Sequence, residues 1–223
     1  NALQKELRLD RQPRHIECFD NSNLQGAHPV ASCVVFRDGK PSRKEYRHFN
    51  IKTVTGADDY ASMREVVFRR YTRLMAEGAE MPDLIIADGG KGQMGVIHEV
   101  LERLGLDIPI AGLAKDDRHR TAELLCGFPP VLVGIRPTSP LFHFLAHIQE
   151  EVHRFAVSFH RQKRSKAFIH SELEQIEGVG DKTVQTLLRH FRTVEKVRAA
   201  NIEELSALVG AAKAKKIRAF FEK

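Results

Sequence analysis

The chain has 223 residues, of which 42% are hydrophobic and 29% charged, a balance typical of folded globular proteins and unlike that of disordered chains. It contains no run of about 18 apolar residues, as a membrane span requires, and its first residues lack the pattern of a signal peptide. We therefore expect a cytoplasmic protein without a membrane partner. The formal net charge of +6 favours a polyanionic partner. An Asn in place of Met at position 1 suggests a piece of a longer protein.

The start of the chain predicts an antiparallel meander. A strand over residues 15–19 ends at Asp20, and a turn rich in Gly, Asn and Ser follows. Two further strands, over residues 30–36 and 44–51, are joined across Asp38-Gly39, a dipeptide typical of tight hairpin turns.

Strands and helices then alternate, which favours parallel pairing within a sheet. Asp58 and Asp59 are candidate caps of a helix of about 15 residues, in which apolar residues recur at helical spacing. The later predicted elements are a strand over 84–87 that leads into Asp88, a helix over 93–104 and a strand over 110–113.

A long helix is predicted after Pro137 and Pro140, following a stretch over 116–136 that indicates loop and weak strands. Its apolar residues alternate steps of four and three and so form one stripe that faces a core. The stripe consists of Leu141, Leu145, Ile148, Val152, Phe155 and Phe159.

The remaining residues predict helices. Ser171 with Glu174 and Asn201 with Glu204 have the spacing of a capping box. Glycines recur about thirty residues apart, at 178–180 and at 210, which indicates a duplicated helical unit.

Because the chain turns sharply basic after residue 160, we place a domain boundary there. The predicted organisation is an α/β domain over 1–160, a basic linker over 161–168 and a small all-α domain over 169–223.

Two aspartates, Asp20 and Asp88, each end an apolar strand and precede turn residues. Hydrolysis of a phosphodiester requires charge stabilisation at the attacking and leaving oxygens, and carboxylate-held divalent ions often supply it. An Asp at a strand end is also a common turn former or helix cap. Residues 89–93 lack the spacing of a nucleotide-binding P-loop; we interpret them as a flexible turn that lets Asp88 and Lys91 approach a phosphate.

His153 lies at the edge of the apolar stripe, on a helix expected to pack against the sheet. A neutral imidazole there would ligate a metal or orient a water. The alternative is an ordinary surface or hydrogen-bonded histidine.

Four strings, in this order, resemble the C-terminal half of the UvrC family of nucleotide excision repair endonucleases. They are IECFD at 16–20, DDYASMRE at 58–65, DGGKGQ at 88–93 and HRFA at 153–156. Each is modest alone, but together they are highly specific, and the resemblance covers nearly the whole chain.

The resemblance implies an RNase H-like mixed sheet with flanking helices, in which Asp20 and Asp88 lie on neighbouring strands. It also implies an Asp-Asp-His site, completed by His153, for divalent ions such as Mg²⁺ or Mn²⁺. In the family this domain cuts damaged double-stranded DNA on the 5′ side of the lesion, after UvrA and UvrB have located the damage. The family's nuclease for the 3′ cut and its hairpin that docks UvrB are not in this chain. Asp59 matches a functionally important family position, although a supporting or capping role is equally compatible with the sequence.

The tail fits tandem helix-hairpin-helix motifs, in which a glycine turn and a helix N-terminus approach a phosphate. Such contacts to phosphates predict sequence-independent, salt-sensitive binding. An ordinary helix C-cap glycine is the alternative. The candidate DNA-binding residues are Gly178, Val179, Gly180 and Lys182 in the first copy, Gly210, Ala212 and Lys213 in the second, with Lys91, Arg161, Lys163 and Arg164 elsewhere.

We therefore predict a divalent-metal-dependent DNA endonuclease with catalytic residues Asp20, Asp88, His153 and Asp59, of which the first two and His153 are metal ligands. A DNA-binding module with a non-catalytic, nuclease-like scaffold is the alternative. A small-molecule hydrolase fits less well, because the tail is suited to gripping phosphates.

Overall fold

The computed structural model describes residues 1–22, 30–54, 56, 58–115 and 121–222, and for residues 22, 115, 121–122 and 160–171 it describes the backbone alone. The chain divides into two compact units, Asn1–Phe159 and His160–Lys223, called unit one and unit two below. No helix in the described ranges combines the length and apolar composition that a bilayer crossing requires.

Unit one is built on a mixed sheet, to which the described residues contribute eight strands. The strand order is β3-β2-β1-β5-β6-β7-β8, and β4 also pairs with β2. The strands are β1 (His15–Ser22), β2 (Val30–Arg37), β3 (Lys40–Pro41), β4 (Arg47–Asn50), β5 (Leu84–Ala87), β6 (Ile110–Lys115), β7 (Thr121–Cys126) and β8 (Val131–Val133).

The centre of the sheet is parallel and its margins are antiparallel. Strand β5 pairs in parallel with both β1 and β6, whereas β1 with β2 and β6 with β7 are antiparallel. All four residues of β5 are buried, as expected for a central parallel strand covered on both faces. The mixed α/β architecture predicted from the sequence is confirmed.

The predicted hairpin at Asp38-Gly39 is present, but the strand that follows it is interrupted. Both turn residues have positive φ, 50° and 78°, as a tight hairpin turn requires. A short 3-10 turn, Arg43–Glu45, then separates β3 from β4, so the single strand predicted over 44–51 is wrong in its first residues. The carboxylate of Glu45 accepts hydrogen bonds from Ser42 Oγ and from the guanidinium of Arg37, and these contacts hold the turn out of the sheet.

Helices cover both faces of this sheet. On one face, the Phe19 ring of β1 meets the Tyr71 ring edge to face; on the other, Phe36 of β2 meets Phe144. The predicted apolar stripe of the long helix is confirmed over its first three turns, because Leu141, Leu145, Ile148 and Val152 are buried in the core. The helices are α1 (Ala2–Leu7), α2 (Asp59–Ala76), α3 (Lys91–Leu104) and α4 (Pro140–Glu174).

Unit two is helical and has its own apolar core. Its described core residues are Leu173, Ile176, Val179, Val184, Leu187, Val197, Ala200, Leu205, Ala214 and Ile217. After α4 come α5 (Asp181–Phe191), α6 (Val194–Ala199), α7 (Ile202–Val209) and α8 (Ala211–Phe221).

One of the two predicted capping boxes is confirmed. Asn201 and Glu204 form the reciprocal hydrogen bonds of a capping box at the start of α7. The box predicted at Ser171 and Glu174 is wrong, because α4 continues without a break from Pro140 through Glu174. The basic segment 161–168, predicted as a linker, accordingly has helical backbone.

A buried charge cluster ties β1 to α2. The Glu17 side chain is 0% exposed and accepts hydrogen bonds from Arg70 Nη2 at 2.5 Å and from Tyr71 Oη at 3.0 Å. His15 Nε2 lies 3.3 Å from the same carboxylate. Burial alone would raise the pKa of Glu17, but His15 and Arg70 outweigh it and lower that pKa to about 2. Glu17 is therefore charged in the folded protein over the whole physiological pH range.

Arg70→Ala should destabilise unit one by about 3–5 kcal/mol, because it leaves a buried carboxylate without its cationic partner. Urea unfolding at neutral pH measures this loss. The matched control is Arg73→Ala on the same helix, whose ion pair with Glu77 is largely exposed and should contribute about 0–1 kcal/mol. Equal losses in the two variants would contradict the role assigned to Arg70.

Candidate active site

The register of the two parallel strands places Asp20 beside Asp88. Phe19 of β1 pairs with Ala87, the last residue of β5, so an aspartate comes next in both segments. Asp88 follows β5 as predicted. Asp20 lies within β1, which continues to Ser22 and pairs Asp20 with Ser32 of β2, so the strand end predicted at Asp20 is wrong. The Asp88 amide donates a hydrogen bond to the Phe19 carbonyl at 2.9 Å, which extends the ladder past the end of β5. The two candidate metal ligands therefore occupy adjacent positions at one edge of the sheet.

Both aspartates face helix α4. His153 Nδ1 lies 3.8 Å from Asp20 Oδ2, and Gln149 Nε2 donates to Asp88 Oδ1 at 2.5 Å. Gln149 also donates to the Leu113 carbonyl at 3.3 Å, which anchors it to β6. Since residues four apart lie on one helix face, Gln149 and His153 stand one above the other opposite the two carboxylates.

Gln149 was not among the candidates from the sequence. The available signal was its spacing of four from His153, at a polar position beside the apolar stripe. Its side chain is buried, and a buried amide needs hydrogen-bond partners. Asp88 and the Leu113 carbonyl are those partners, so the contact fixes the orientation of the Asp88 carboxylate.

Asp20 and His153, which lie side by side, differ sharply in how far their side chains are exposed to solvent. The Asp20 side chain is 10% exposed, whereas the imidazole of His153 is 62% exposed. The carboxylate therefore lies at the floor of the site and His153 at its open side, where a substrate would arrive.

Asp59 lies near Asp20 and is the first residue of α2, but it does not cap that helix. The cap of α2 is Asp58, whose Oδ1 accepts a hydrogen bond from the Ala61 amide at 2.9 Å. The carbonyl of Asp59 accepts a hydrogen bond from Asn21 Nδ2 at 2.7 Å, next to Asp20 in the chain. Partial burial, followed by the charges of Asp58 and Asp20, raises the pKa of Asp59 above its ordinary value.

Of the two glycines directly after Asp88, Gly89 is required by space, whereas a Cβ on Gly90 would meet no atom within 4 Å. A Cβ on Gly89 would lie 2.6 Å from Cγ of Gln93, so any larger residue would force the Gln93 side chain to move. Gly90 occupies the N-cap position of α3, and Lys91 is its exposed first residue. The turn is thus closely packed at Gly89 and open at Gly90.

The carboxylate oxygens of Asp20 and Asp88 are suited to binding a hard divalent cation. Within the described residues, no three His, Cys, Asp or Glu side chains are close enough together to enclose a metal ion. Mg²⁺ does not need such a group, because it commonly binds through one or two carboxylates and completes its shell with water and substrate phosphate oxygens. Two adjacent carboxylates at an open edge of the sheet fit this requirement.

The first glycine turn of unit two has the expected features. Gly178 has a φ of 84°, Val179 is buried in the core of unit two, and Gly180 is the N-cap of α5. Lys182, in the first turn of α5, is exposed. The turn thus points its helix N-terminus and a lysine toward solvent while Val179 anchors it.

The second glycine turn is shorter than the sequence spacing predicted. Gly210, with a φ of 87°, is the only residue between α7 and α8, so Ala212 lies in the first turn of a helix and not at a second turn position. Lys213 Nζ donates to Thr183 Oγ1 at 2.9 Å, which joins α8 to α5. The side chains of Arg161, Lys163 and Arg164 lie outside the described residues.

Asp59→Asn should raise the stability of unit one at pH 7. A carboxylate with a raised pKa is penalised in the folded state wherever it is ionised, so the gain is full above its folded pKa. The gain should vanish as the pH falls below the ordinary value of 3.8. Thermal unfolding at pH 7 and at about pH 3 measures both limits, with the exposed Asp107→Asn as control. A stability loss at pH 7 would show that the favourable position of Asp59 at a helix N-terminus outweighs the repulsion.

Comparison with known proteins identifies the family of this chain. The family model "UvrC RNAse H endonuclease domain" matches residues 4–157, and the model "SAM-like Helix-hairpin-helix tandem" matches residues 171–223. The predicted RNase H-like sheet followed by tandem helix-hairpin-helix motifs is thereby confirmed.

Curated relatives agree with these matches. The UvrABC system protein C of Bacteroides fragilis is 60% identical over 216 residues, which are 97% of this chain and 36% of that protein. The protein of the same name from Streptococcus uberis is 57% identical over 207 residues, 92% of this chain and 35% of that protein. The chain thus spans about a third of the length of these relatives.

Among solved structures, the complex of Ciona intestinalis Endonuclease V with inosine-containing DNA matches at 18% identity with a TM-score of 0.38, over 52% of this chain and 56% of that one. The family matches and the curated relatives show that the chain belongs to the UvrC family and contains that family's RNase H endonuclease domain and a tandem helix-hairpin-helix region.

Proposed function

We propose that this chain is the part of a UvrC-type protein that cuts DNA on the 5′ side of a lesion during nucleotide excision repair. The observation that carries the proposal is the adjacency of Asp20 and Asp88 at one sheet edge, with both aspartates in contact with α4. The family membership and the relatives' name, UvrABC system protein C, support the repair context. UvrB, and UvrA indirectly, are the proposed partners.

In the proposed mechanism Asp20 and Asp88 hold Mg²⁺ or Mn²⁺ at the sheet edge. When bound, such an ion stabilises the charge that develops on the phosphate and its leaving oxygen. Gln149 keeps the Asp88 carboxylate in place through its hydrogen bond. His153, exposed and 3.8 Å from Asp20, ligates the ion or orients the attacking water. Lys91 contributes positive charge near the phosphate.

Asp59 has a supporting role in this proposal. Its carbonyl holds Asn21, and its carboxylate adds negative charge close to Asp20, as its raised pKa reflects. A second cation or a cationic substrate group would relieve this repulsion. We therefore assign Asp59 to tuning the site's affinity for cations.

The alternative is a DNA-binding module in which unit one is only a scaffold. One observation favours it: within the described ranges, no group of three metal-ligating side chains is assembled. Metal titration followed by a cleavage assay separates the two functions. The scaffold alternative predicts DNA binding without metal-dependent cleavage.

Asp20→Asn should abolish metal-dependent cleavage of lesion-bearing duplex DNA, because the amide removes the negative charge that holds the ion. Incision is measured with UvrA and UvrB present, together with unfolding and DNA affinity, which should stay unchanged. His153→Ala leaves both carboxylates in place. This variant should still cut, at a rate about 10²- to 10⁴-fold below that of the wild type.

The matched control for this experiment is Asp38→Asn. Asp38 is an exposed turn residue with positive φ, a conformation that Asn tolerates. The Asp38→Asn variant should cut DNA at the rate of the wild type. Full activity of Asp20→Asn would contradict the assignment of the metal site.

Gly180→Val should weaken duplex binding without unfolding unit two. A Cβ at Gly180 would meet nothing within 4 Å, and its φ of −90° suits any residue, so the added side chain would only block approach of a phosphate to α5. Each lost phosphate contact should reduce the slope of log affinity against log salt by about 0.9. Affinity measured at several salt concentrations gives this slope.

Ala212→Val is the comparison variant, because that position lies within α8. It should change affinity less than Gly180→Val. An unchanged slope for Gly180→Val would place the DNA grip outside the first glycine turn.

A further inference from the structure

Tyr60 is an aromatic residue left unusually open to solvent. The residue is 53% exposed, whereas the other two tyrosines, Tyr46 and Tyr71, are buried. Isolated exposed apolar residues are common and need no explanation by themselves. Its position relative to the candidate active site is what distinguishes Tyr60.

The Tyr60 side chain contacts the chain segment that carries Asp88. A Cβ built on Gly92 would lie 2.8 Å from Cε1 and Cζ of the Tyr60 ring. The ring is therefore held against the first turn of α3, which begins three residues after Asp88. Gly92 is the residue that makes this close approach possible.

Tyr60 also follows the segment that contacts Asp20's strand. It is the second residue of α2, directly after Asp59, whose carbonyl accepts the hydrogen bond from Asn21 Nδ2. Asn21 is the neighbour of Asp20 in β1. The exposed ring is thus attached on one side to the segment near Asp20 and packed on the other against the segment after Asp88.

An exposed, positioned aromatic ring is suited to stacking on a nucleobase. Stacking accepts any base, because each base has a π face, and it accompanies backbone binding in proteins that hold single strands. A tyrosine loses little conformational entropy in such a contact, because it has only two side-chain torsions. The nearby exposed Lys91 supplies positive charge for the backbone.

We propose that Tyr60 is a stacking platform for one base of the DNA strand whose phosphate reaches Asp20 and Asp88. This inference rests on the proposed function and specifies its substrate. A base in a continuous duplex is stacked on its neighbours, so the platform favours DNA that is locally unpaired beside the cut.

The first test compares Tyr60→Ala with Tyr60→Phe in the full chain, on a duplex oligonucleotide with a short unpaired bubble. Loss of one stacked base should raise KM for cleavage by about 5- to 150-fold and leave kcat little changed. Tyr60→Phe keeps the ring and should stay close to wild type. The control is Met75→Ala, at 45% exposure in the last turn of the same helix.

The second test reads stacking directly by fluorescence. The chain contains no tryptophan, so Tyr60→Trp introduces a single indole at the proposed platform. Its emission should be quenched by the bubble oligonucleotide, and an abasic site at one position should remove that quenching. Met75→Trp should show no quenching with either oligonucleotide.

The outcomes separate this inference from the proposed function. If wild type cuts while Tyr60→Ala behaves like Met75→Ala, the platform is wrong and the nuclease function stands. A Tyr60→Phe variant as impaired as Tyr60→Ala would overturn stacking in favour of the hydroxyl. If Asp20→Asn cuts like wild type, the metal site fails, while position-dependent quenching of Tyr60→Trp still supports the platform.

Discussion

The parallel pairing of β1 with β5 is the constraint on which the candidate site depends. It places Asp20 and Asp88 at adjacent positions and directs both toward α4. Since successive residues of a strand point to opposite faces, a shift of one residue would turn Asp20 toward α2. The register is protected against such a shift because both faces of β1 are buried, with Phe19 against Tyr71 on one side and the α4 stripe on the other.

The same strand carries the charge cluster that resists a register shift most strongly. Glu17 lies on the α2 face with Arg70 and Tyr71 as hydrogen-bond donors. Moving this carboxylate to the opposite, apolar face would leave it without these partners, and a buried unpaired charge costs several kcal/mol. Glu17 and Asp20 therefore have complementary roles: the Glu17 carboxylate is paired and fixes the strand, and the Asp20 carboxylate lies at the floor of the site beside His153.

Much of this arrangement could be predicted from the sequence, because apolar periodicity determines strands and helices locally. The stripe of α4, the hairpin at Asp38 and the position of Asp88 after β5 follow from such patterns, whereas the strand of Asp20 continues two residues further than predicted. The interruption before β4 depends on side chains of Arg37 and Ser42 that meet Glu45 only in the folded chain. The capping pattern at Ser171 is equally compatible with a helix interior. Gln149 and Tyr60 are single residues whose partners, Asp88 and Gly92, are distant in sequence. The spacing of Gln149 from His153 places it on the same helix face, but it does not identify Asp88 as its partner.

Under the proposed function, the two units recognise features that all DNA shares. The glycine turn at Gly180 and the carboxylate-bound ion both address phosphates, which carry no direct sequence information. Stacking on Tyr60 accepts any base that has left its neighbours. Damage would therefore be distinguished through how readily the duplex opens beside it, since the cost of deforming DNA varies with the site being deformed. Under the proposed function, selectivity for damaged DNA would come from the opening of the duplex and from the partners that bring the chain to the lesion. The site itself would need only to hold an opened strand in position for cutting.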